Sequence, residues 1–326
     1  MLRSLCLCGS LLLAAAGCHQ KGGTPAPATP GAVYYCARQL PSGPWQVYKK
    51  NLLNGAIDTI AKSPAYNYWW VEASPDASQL LLLRSPYGST PDQFNYAQCE
   101  LVRAAANGTG QQVLLPDNAN GWYAFGNPHW HPSGNRILLL AQPGTASSGP
   151  FYAATIDTNG QNPKLLTTQY TLDANWAPQG NKIVYIGLGA TGSVPLNFEV
   201  FTADYDYAAN QVSNARQLTS DNTRDQDPCF SPDGRTIAFS AGNALLTTAD
   251  LVTIDASGAN RKAVVSDGGV HGGPLNWGTD GRIYFHSIYL LTTGFMADAY
   301  DTKTGTYENL LRSNSSAYIS PYYTGK

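Results

Sequence analysis

Histidine is scarce in this chain of 326 residues, so the pair His129 and His131, in the phrase PHWHPSG, is the first place to look for chemistry. Alternate residues of a strand share a face, and two imidazoles on one face could present themselves to a single metal ion. The same pair flanks Trp130 in a phrase that recurs elsewhere with Asn175 and Ala177, or Cys229 and Ser231, and so reads also as buried or rim histidines; His271 and His286 are weighed with them. The acidic candidates are Asp173 and Asp227, with Asn127 in the equivalent place of another copy. Each stands at the start of a predicted innermost strand, where it could cap the incoming turn through backbone N–H groups. Alternatively, repeat equivalence brings the three together around one mouth of a central channel, converging on one ligand. No nucleophile elbow G-x-S-x-G, zinc motif H-E-x-x-H, phosphate-binding Walker loop or paired C-x-x-C is present.

Six cysteines divide by position. Cys6 and Cys8 lie in a leader whose Arg3, apolar run over residues 5–16 and small residues before Cys18 give residues 1–17 the pattern of a signal peptide, too short to span a bilayer. Cys18 directly after Ala15-Ala16-Gly17 resembles the bacterial lipobox, whose cysteine is diacylated and becomes the mature N-terminus; Ala15 departs from the usual Leu. An ordinary cleaved signal with an incidental cysteine is the other reading. Two acyl chains give stable attachment where one is marginal, and His19 in place of Asp resembles proteins sorted to the outer membrane. Residues 18–31, rich in Pro, Gly, Ala and Thr, predict a flexible tether, and residues 32–326 the folded body. Cys36, Cys99 and Cys229 remain there. A disulfide is permitted in a secreted setting, but three cysteines in different repeat units read more simply as small buried hydrophobes.

The elements that position these residues come from a repeat. NPHWHPSGNRILLLA from Asn127, DANWAPQGNKIVYIG from Asp173, DPCFSPDGRTIAFSA from Asp227 and PLNWGTDGRIYFHS from Pro274 share an apolar residue, a Pro-polar-Gly turn and an aliphatic strand; WVEASPDASQLLLLR from Trp70 is a degenerate copy. The anchors Pro75, Pro132, Pro178, Pro232 and Thr279 recur at blade-like intervals, each preceded by two positions by Ala73, Trp130, Trp176, Phe230 or Trp277. Proline pre-sets the turn, glycine tolerates positive φ, and the β-branched run pairs back as a hairpin. A second turn such as Asn159-Gly160, Ser257-Gly258 or Thr304-Gly305 follows, giving four strands per repeat, a propeller blade. The C-terminal SAYISPYYTGK, with Ile319, Ser320 and Pro321 expected as inner strand and anchor, complements AVYYCARQ, WQVYKKN and AIDTI near the start. The expectation is an all-β, six-bladed propeller of four-stranded antiparallel blades, closed by terminal strands that share one blade.

The DPCFSPDGRTIAF copy resembles the TolB-like, WD40-like propeller repeat, whose signature is Pro-x-Trp-Ser-Pro-Asp-Gly followed by Ile-x-Phe. Ser133 and Gln179 replace its turn Asp, and Thr279 its Pro. The resemblance covers residues 33–326, leaving no room ahead of the propeller for the α/β domain of TolB itself, whose role in the Tol-Pal envelope system therefore does not carry over. TolB-like propellers also resemble the non-catalytic domains of prolyl oligopeptidase-type hydrolases.

Long insertions from Pro86, Gly187 and Asn243, carrying Tyr87, Phe94, Tyr96 and Phe198, are expected between second and third strands, where exposed aromatics suit protein and carbohydrate contacts. The formal charge of −2 gives no footprint for nucleic acid. Together these features predict a lipid-anchored, monomeric, non-catalytic binding or scaffold propeller of the bacterial envelope, at the outer membrane facing periplasm or cell surface. It engages an envelope protein, peptide or glycan through Asn127, Asp173 and Asp227, without a cofactor. The alternative is a metal-dependent polysaccharide lyase or hydrolase of oligogalacturonate-lyase type, using His129 and His131.

Overall fold

The computed structural model describes residues 31–40, 42–88, 95–145, 147–189, 197–221, 223–243, 245–289, 295–312 and 316–325. The signal peptide, Cys18 and its tether, and Phe94 lie outside them. No α-helix occurs among the described residues, which form β1 (Ala32–Gln39), β2 (Gln46–Asn51), β3 (Ile57–Ala61), β4 (Tyr66–Ala73), β5 (Gln79–Pro86), β6 (Glu100–Ala105) and β7 (Gln112–Leu115). There follow β8 (Trp122–Trp130), β9 (Arg136–Pro143), β10 (Tyr152–Asp157), β11 (Lys164–Leu165), β12 (Thr171–Trp176), β13 (Lys182–Leu188), β14 (Phe198–Asp206) and β15 (Gln211–Gln217). The last third holds β16 (Arg224–Phe230), β17 (Thr236–Gly242), β18 (Ala249–Asp255), β19 (Lys262–Val265), β20 (Val270–Trp277), β21 (Arg282–Ile288), β22 (Phe295–Asp301), β23 (Thr306–Leu311) and β24 (Ser316–Thr324).

Four antiparallel units stand as separate four-stranded sheets: β4 to β7, β8 to β11, β12 to β15, and β24-β1-β2-β3. The units β16 to β19 and β20 to β23 touch through one parallel pair, Ala249 with Val270. Strands β4, β8, β12, β16, β20 and β24 each begin a unit. The units pack in a closed ring, because each hydrophobic cluster draws on two successive ones. Trp70 and Leu83 meet Phe125 and Ile137; Leu138 meets Trp176; Val184 meets Phe239; Leu251 meets Phe285; Tyr284 meets Val33 and Tyr35; Tyr34 and Val47 meet Leu80. Large apolar residues on both faces of a middle strand are what such sandwiching requires, as LLLLR in β5 and ILLLA in β9 supply. The fold is thus a β-propeller of four-stranded antiparallel blades, closed by terminal strands.

The turn chemistry follows the repeat. Gly134 N donates to His131 O at 2.7 Å and His131 N to Arg136 O at 2.8 Å, with Gly134 at φ +75°. In the degenerate copy Ala77 occupies the same left-handed place at φ 58°, and Asp76 steadies that turn by accepting hydrogen bonds from Ser74 Oγ and Ser78 N. Those bonds hold the Asp76 carboxyl down at about 2. The turn Asp is therefore a structural acceptor.

Closure differs from the expected register in one respect. β24 pairs with β1 from Ala32 opposite Thr324 to Gln39 opposite Ser316, but Pro321 is not a turn anchor. Ser320 has φ 52°, matching Asn127 at 48° and Asp227 at 54°, and all three precede a proline within an inner strand. Ser320-Pro321 is thus the counterpart of Asn127-Pro128 and Asp227-Pro228, and Tyr323 takes the place of Trp130. The shared short polar residue (Asn, Asp or Ser) before proline at the bulge, rather than the turn, governs this register.

Candidate functional site

Inner strands run from a face bearing the loops between second and third strands to a face bearing the Pro-polar-Gly turns. Between them lie two cavities that share Trp70 and Pro274. The turn-side cavity, about 330 Å³, is walled by Glu72, His129, Asn175, Trp176, Trp277 and Tyr322 among others. The other, about 260 Å³, is lined by Trp69, Trp70, Asn127, Asp227, Ser240 and His286 among others, and by Gln226 and Val270 near the loop-side ends of their strands.

Asn127, Asp173 and Asp227 lie inside their strands rather than at the strand starts. A bulge precedes the aromatic position in each strand, with register shifts between Gly126 and His129, Thr171 and Asp173, and Gln226 and Cys229; Asn127 and Asp227 fall within it, whereas Asp173 follows it and pairs with Ile186. Asn127 Nδ2 donates to Asp173 Oδ1 at 3.1 Å across one blade junction, and Asp173 Oδ1 also accepts from Ala174 N at 2.8 Å. Across another junction, Gly273 N donates to Asp227 Oδ2 at 2.8 Å. Ser320 Oγ does the same for the closing blade, donating to Trp69 O at 2.9 Å. This position therefore clasps successive blades; the expected cap of the incoming turn is not what these side chains form.

Asn127 and Asp227 line the loop-side cavity, whereas Asp173 is 4% exposed behind them. Burial, then the charge of Asp173, pushes the Asp227 carboxyl up to about 7 against the hydrogen bond from Gly273 N. Burial also raises Asp173, opposed by His129 and Asn127. Desolvation and the nearby His271 lower His286 to about 4, so its imidazole is neutral at pH 7. The wall offers a carboxyl, an amide, a hydroxyl, a neutral imidazole and indole faces. These are groups for orienting a ligand through hydrogen bonds.

The two histidines of the alternative metal reading do not converge. His129 Nδ1 meets Glu72 Oε2 at 2.7 Å, while Trp130 N donates to Glu72 Oε1 at 2.8 Å. Burial depresses His129, but Glu72's charge and hydrogen bond, with Asp173's charge, outweigh it and leave the pKa raised. His131 follows the end of β8, with Nδ1 on Ser133 Oγ at 2.7 Å and Nε2 on Gly180 O at 3.0 Å. The bulge ahead of them and the strand end after Trp130 break the simple alternation that predicted a shared ligand. Among the described residues no group of three or more His, Cys, Asp or Glu is arranged to hold a metal. Cys36, Cys99 and Cys229 are buried, and no disulfide joins them.

Glu72 is the participant that sequence reasoning missed. Its copy of the repeat is degenerate, yet it stands three residues before Pro75 as His129 stands three before Pro132, and that equivalence was the available signal. A Ser-His-Asp contact was missed as well. Ser287 Oγ lies 2.9 Å from His271 Nδ1, and His271 Nε2 lies 2.8 Å from Asp267 Oδ1. Ser287 and His271 are both 0% exposed, so this hydroxyl presents no surface to a substrate; it continues instead toward Tyr307, which donates to Asp298.

No protein-family profile matches the sequence, and no curated protein matches it. Solved structures do. TolB from Acinetobacter baumannii superposes with TM-score 0.69 at 14% identity, over 91% of this chain and 67% of that one. A putative TolB from Agrobacterium tumefaciens gives 0.62 at 15%, over 90% and 99%. A chain of the nidogen/laminin complex gives 0.63 at 9%, over 90% and 98%. At such identities the likeness concerns the fold, and by fold this chain is a TolB-like β-propeller.

Proposed function

We propose that the chain is a six-bladed, non-catalytic binding propeller of the bacterial envelope, held through an acylated Cys18 at the outer membrane. It takes a protein or peptide partner, or a glycan, at its loop-bearing face. The observation that carries this reading is the loop-side cavity of about 260 Å³, where Asp227 and Asn127 sit at left-handed φ between blades. Strained residues that line a cavity point to function, and here their side chains bring a carboxyl and an amide to one wall. A peptide N–H, an ammonium or a sugar hydroxyl satisfies such a wall. The structural likeness to proteins that include a partner of the nidogen/laminin complex is in keeping with a protein-binding role.

The test is capture by cross-linking from native membranes, followed by titration of the captured partner against wild type and Asp227→Asn. Loss of one hydrogen bond to a charged acceptor is expected to weaken binding about tenfold, with no fall in melting temperature. Unchanged affinity refutes the site.

A further inference from the structure

We infer that the turn-bearing face of the propeller, at the tip formed by Leu53 and Ile57, rests on the surface of a lipid bilayer. The inference depends on the reading of Cys18 as an acylated anchor. Leu53 is 71% exposed and Ile57 54%. The turn joining β2 to β3 holds them outward in an ordered way: Asn51 Oδ1 accepts from Leu53 N at 2.8 Å, Gly55 N donates to Asn51 O at 2.9 Å, and Ala56 N donates to Asn54 Oδ1 at 3.0 Å. Single exposed apolar residues are ordinary on a surface. What sets this pair apart is its place along the chain. Leu52 N donates to Gly31 O at 3.1 Å, so the turn is bonded to the residue at which the segment following Cys18 joins the ring.

That junction lies on the turn-bearing face. Ala32 pairs with both Asn51 and Thr324, at the end of its blade that adjoins the neighbouring blade's turn, held by Gly281 N and Gly278 O, from which Thr279 Oγ1 reaches Gly325 O at 3.5 Å. A tether of the composition and length of residues 19–30 spans on the order of 20 Å as a random chain and about 40 Å when fully stretched. To present the loop-bearing face to the membrane instead, it must cross β2 and β3 and then the height of an eight-residue strand, roughly 35 Å of path. Nearly complete extension is entropically costly, whereas the turn-bearing face needs none. The anchored protein thus settles with Leu53 and Ile57 at the lipid interface and the Asp227 cavity directed away from it. Leu245, 83% exposed between β17 and β18 on the loop-bearing face, marks the side that stays in water.

The experiment uses the full acylated protein in phosphatidylethanolamine and phosphatidylglycerol vesicles, with an environment-sensitive fluorophore on Leu53→Cys or Leu245→Cys. The buried Cys36, Cys99 and Cys229 leave the introduced thiol as the reactive one. The label at position 53 is expected to shift to the blue and be quenched at least about twofold by spin-labelled lipid, with the label at 245 unaffected. Vesicle flotation with neither label quenched, or with both quenched alike, overturns the orientation while leaving the anchor in place. Mass spectrometry that finds no acyl groups on Cys18 removes the anchor, and the orientation with it. A blue shift at position 53 that grows with concentration in a soluble form begun after Cys18 shows that a second copy covers the tip, which also overturns the proposal.

Discussion

Removal of the Glu72 carboxylate tests the interior of the channel most directly. Glu72 is 3% exposed and serves two groups of the next blade, His129 Nδ1 at 2.7 Å and Trp130 N at 2.8 Å. Glu72→Ala leaves a backbone donor and an imidazole without their acceptor, and breaking a buried pair in this way costs about 3 kcal/mol. At 2 °C or more per kcal/mol for a domain of this size, the melting temperature falls by about 6 °C. Glu72→Gln keeps an acceptor for Trp130 N and places an amide donor against neutral His129, so its loss is about 1 kcal/mol. The pH dependence has a definite sign. The folded pKa of His129 is raised above its unfolded value near 6.5, so the ionic part of the pair is fully present below about pH 6.5 and disappears as pH rises through the folded pKa. Thermal melts of wild type, Glu72→Ala and Glu72→Gln at about pH 5.5 and about pH 9 bracket that window, and the deficit of Glu72→Ala should be larger at the lower pH. Equal losses for Ala and Gln, independent of pH, refute the assignment.

Two further outcomes follow from the same structure. Asp225 and Asp227 are raised to about 7, chiefly by burial, so folding takes up protons and stability falls as pH rises from about 4 to about 7; Asp225→Asn and Asp227→Asn should each flatten that decline in melts across the window. Deleting residues 316–325 removes β24, strips β1 of its partner and uncovers the cluster of Tyr35, Tyr284 and Ala299, so the truncated chain is expected to aggregate in light scattering under conditions where the intact chain does not.

The blade pattern was legible because each unit repeats the same local chemistry. Pro132 to Gly134 predicts a turn from backbone preferences alone, and the turn bonds at Gly180, Gly234 and Gly281 repeat it. The anchor of the last strand was misread because Ser-Pro-Tyr-Tyr also imitates a turn phrase. Only pairing with β1 and the left-handed φ of Ser320 distinguish a bulge from an anchor. Glu72 was hidden for a related reason: without the aromatic residue of the other copies, Ala73 offers little sign that its neighbour faces the channel.

The sequence by itself determined the hairpins, the four-stranded repeat unit, the pairing of terminal strands within one blade and the burial of three cysteines, since turn residues, alternation and spacing act over a few residues at a time. The tertiary structure decided what the polar residues do. Asn127 and Asp173 meet across 46 positions, His129 and Glu72 across 57, and Asp227 and Gly273 across 46, because ring geometry stacks equivalent strand positions against each other. Local propensity has no access to those distances, and one bulged residue in an inner strand is enough to turn a side chain from a predicted rim into the channel wall.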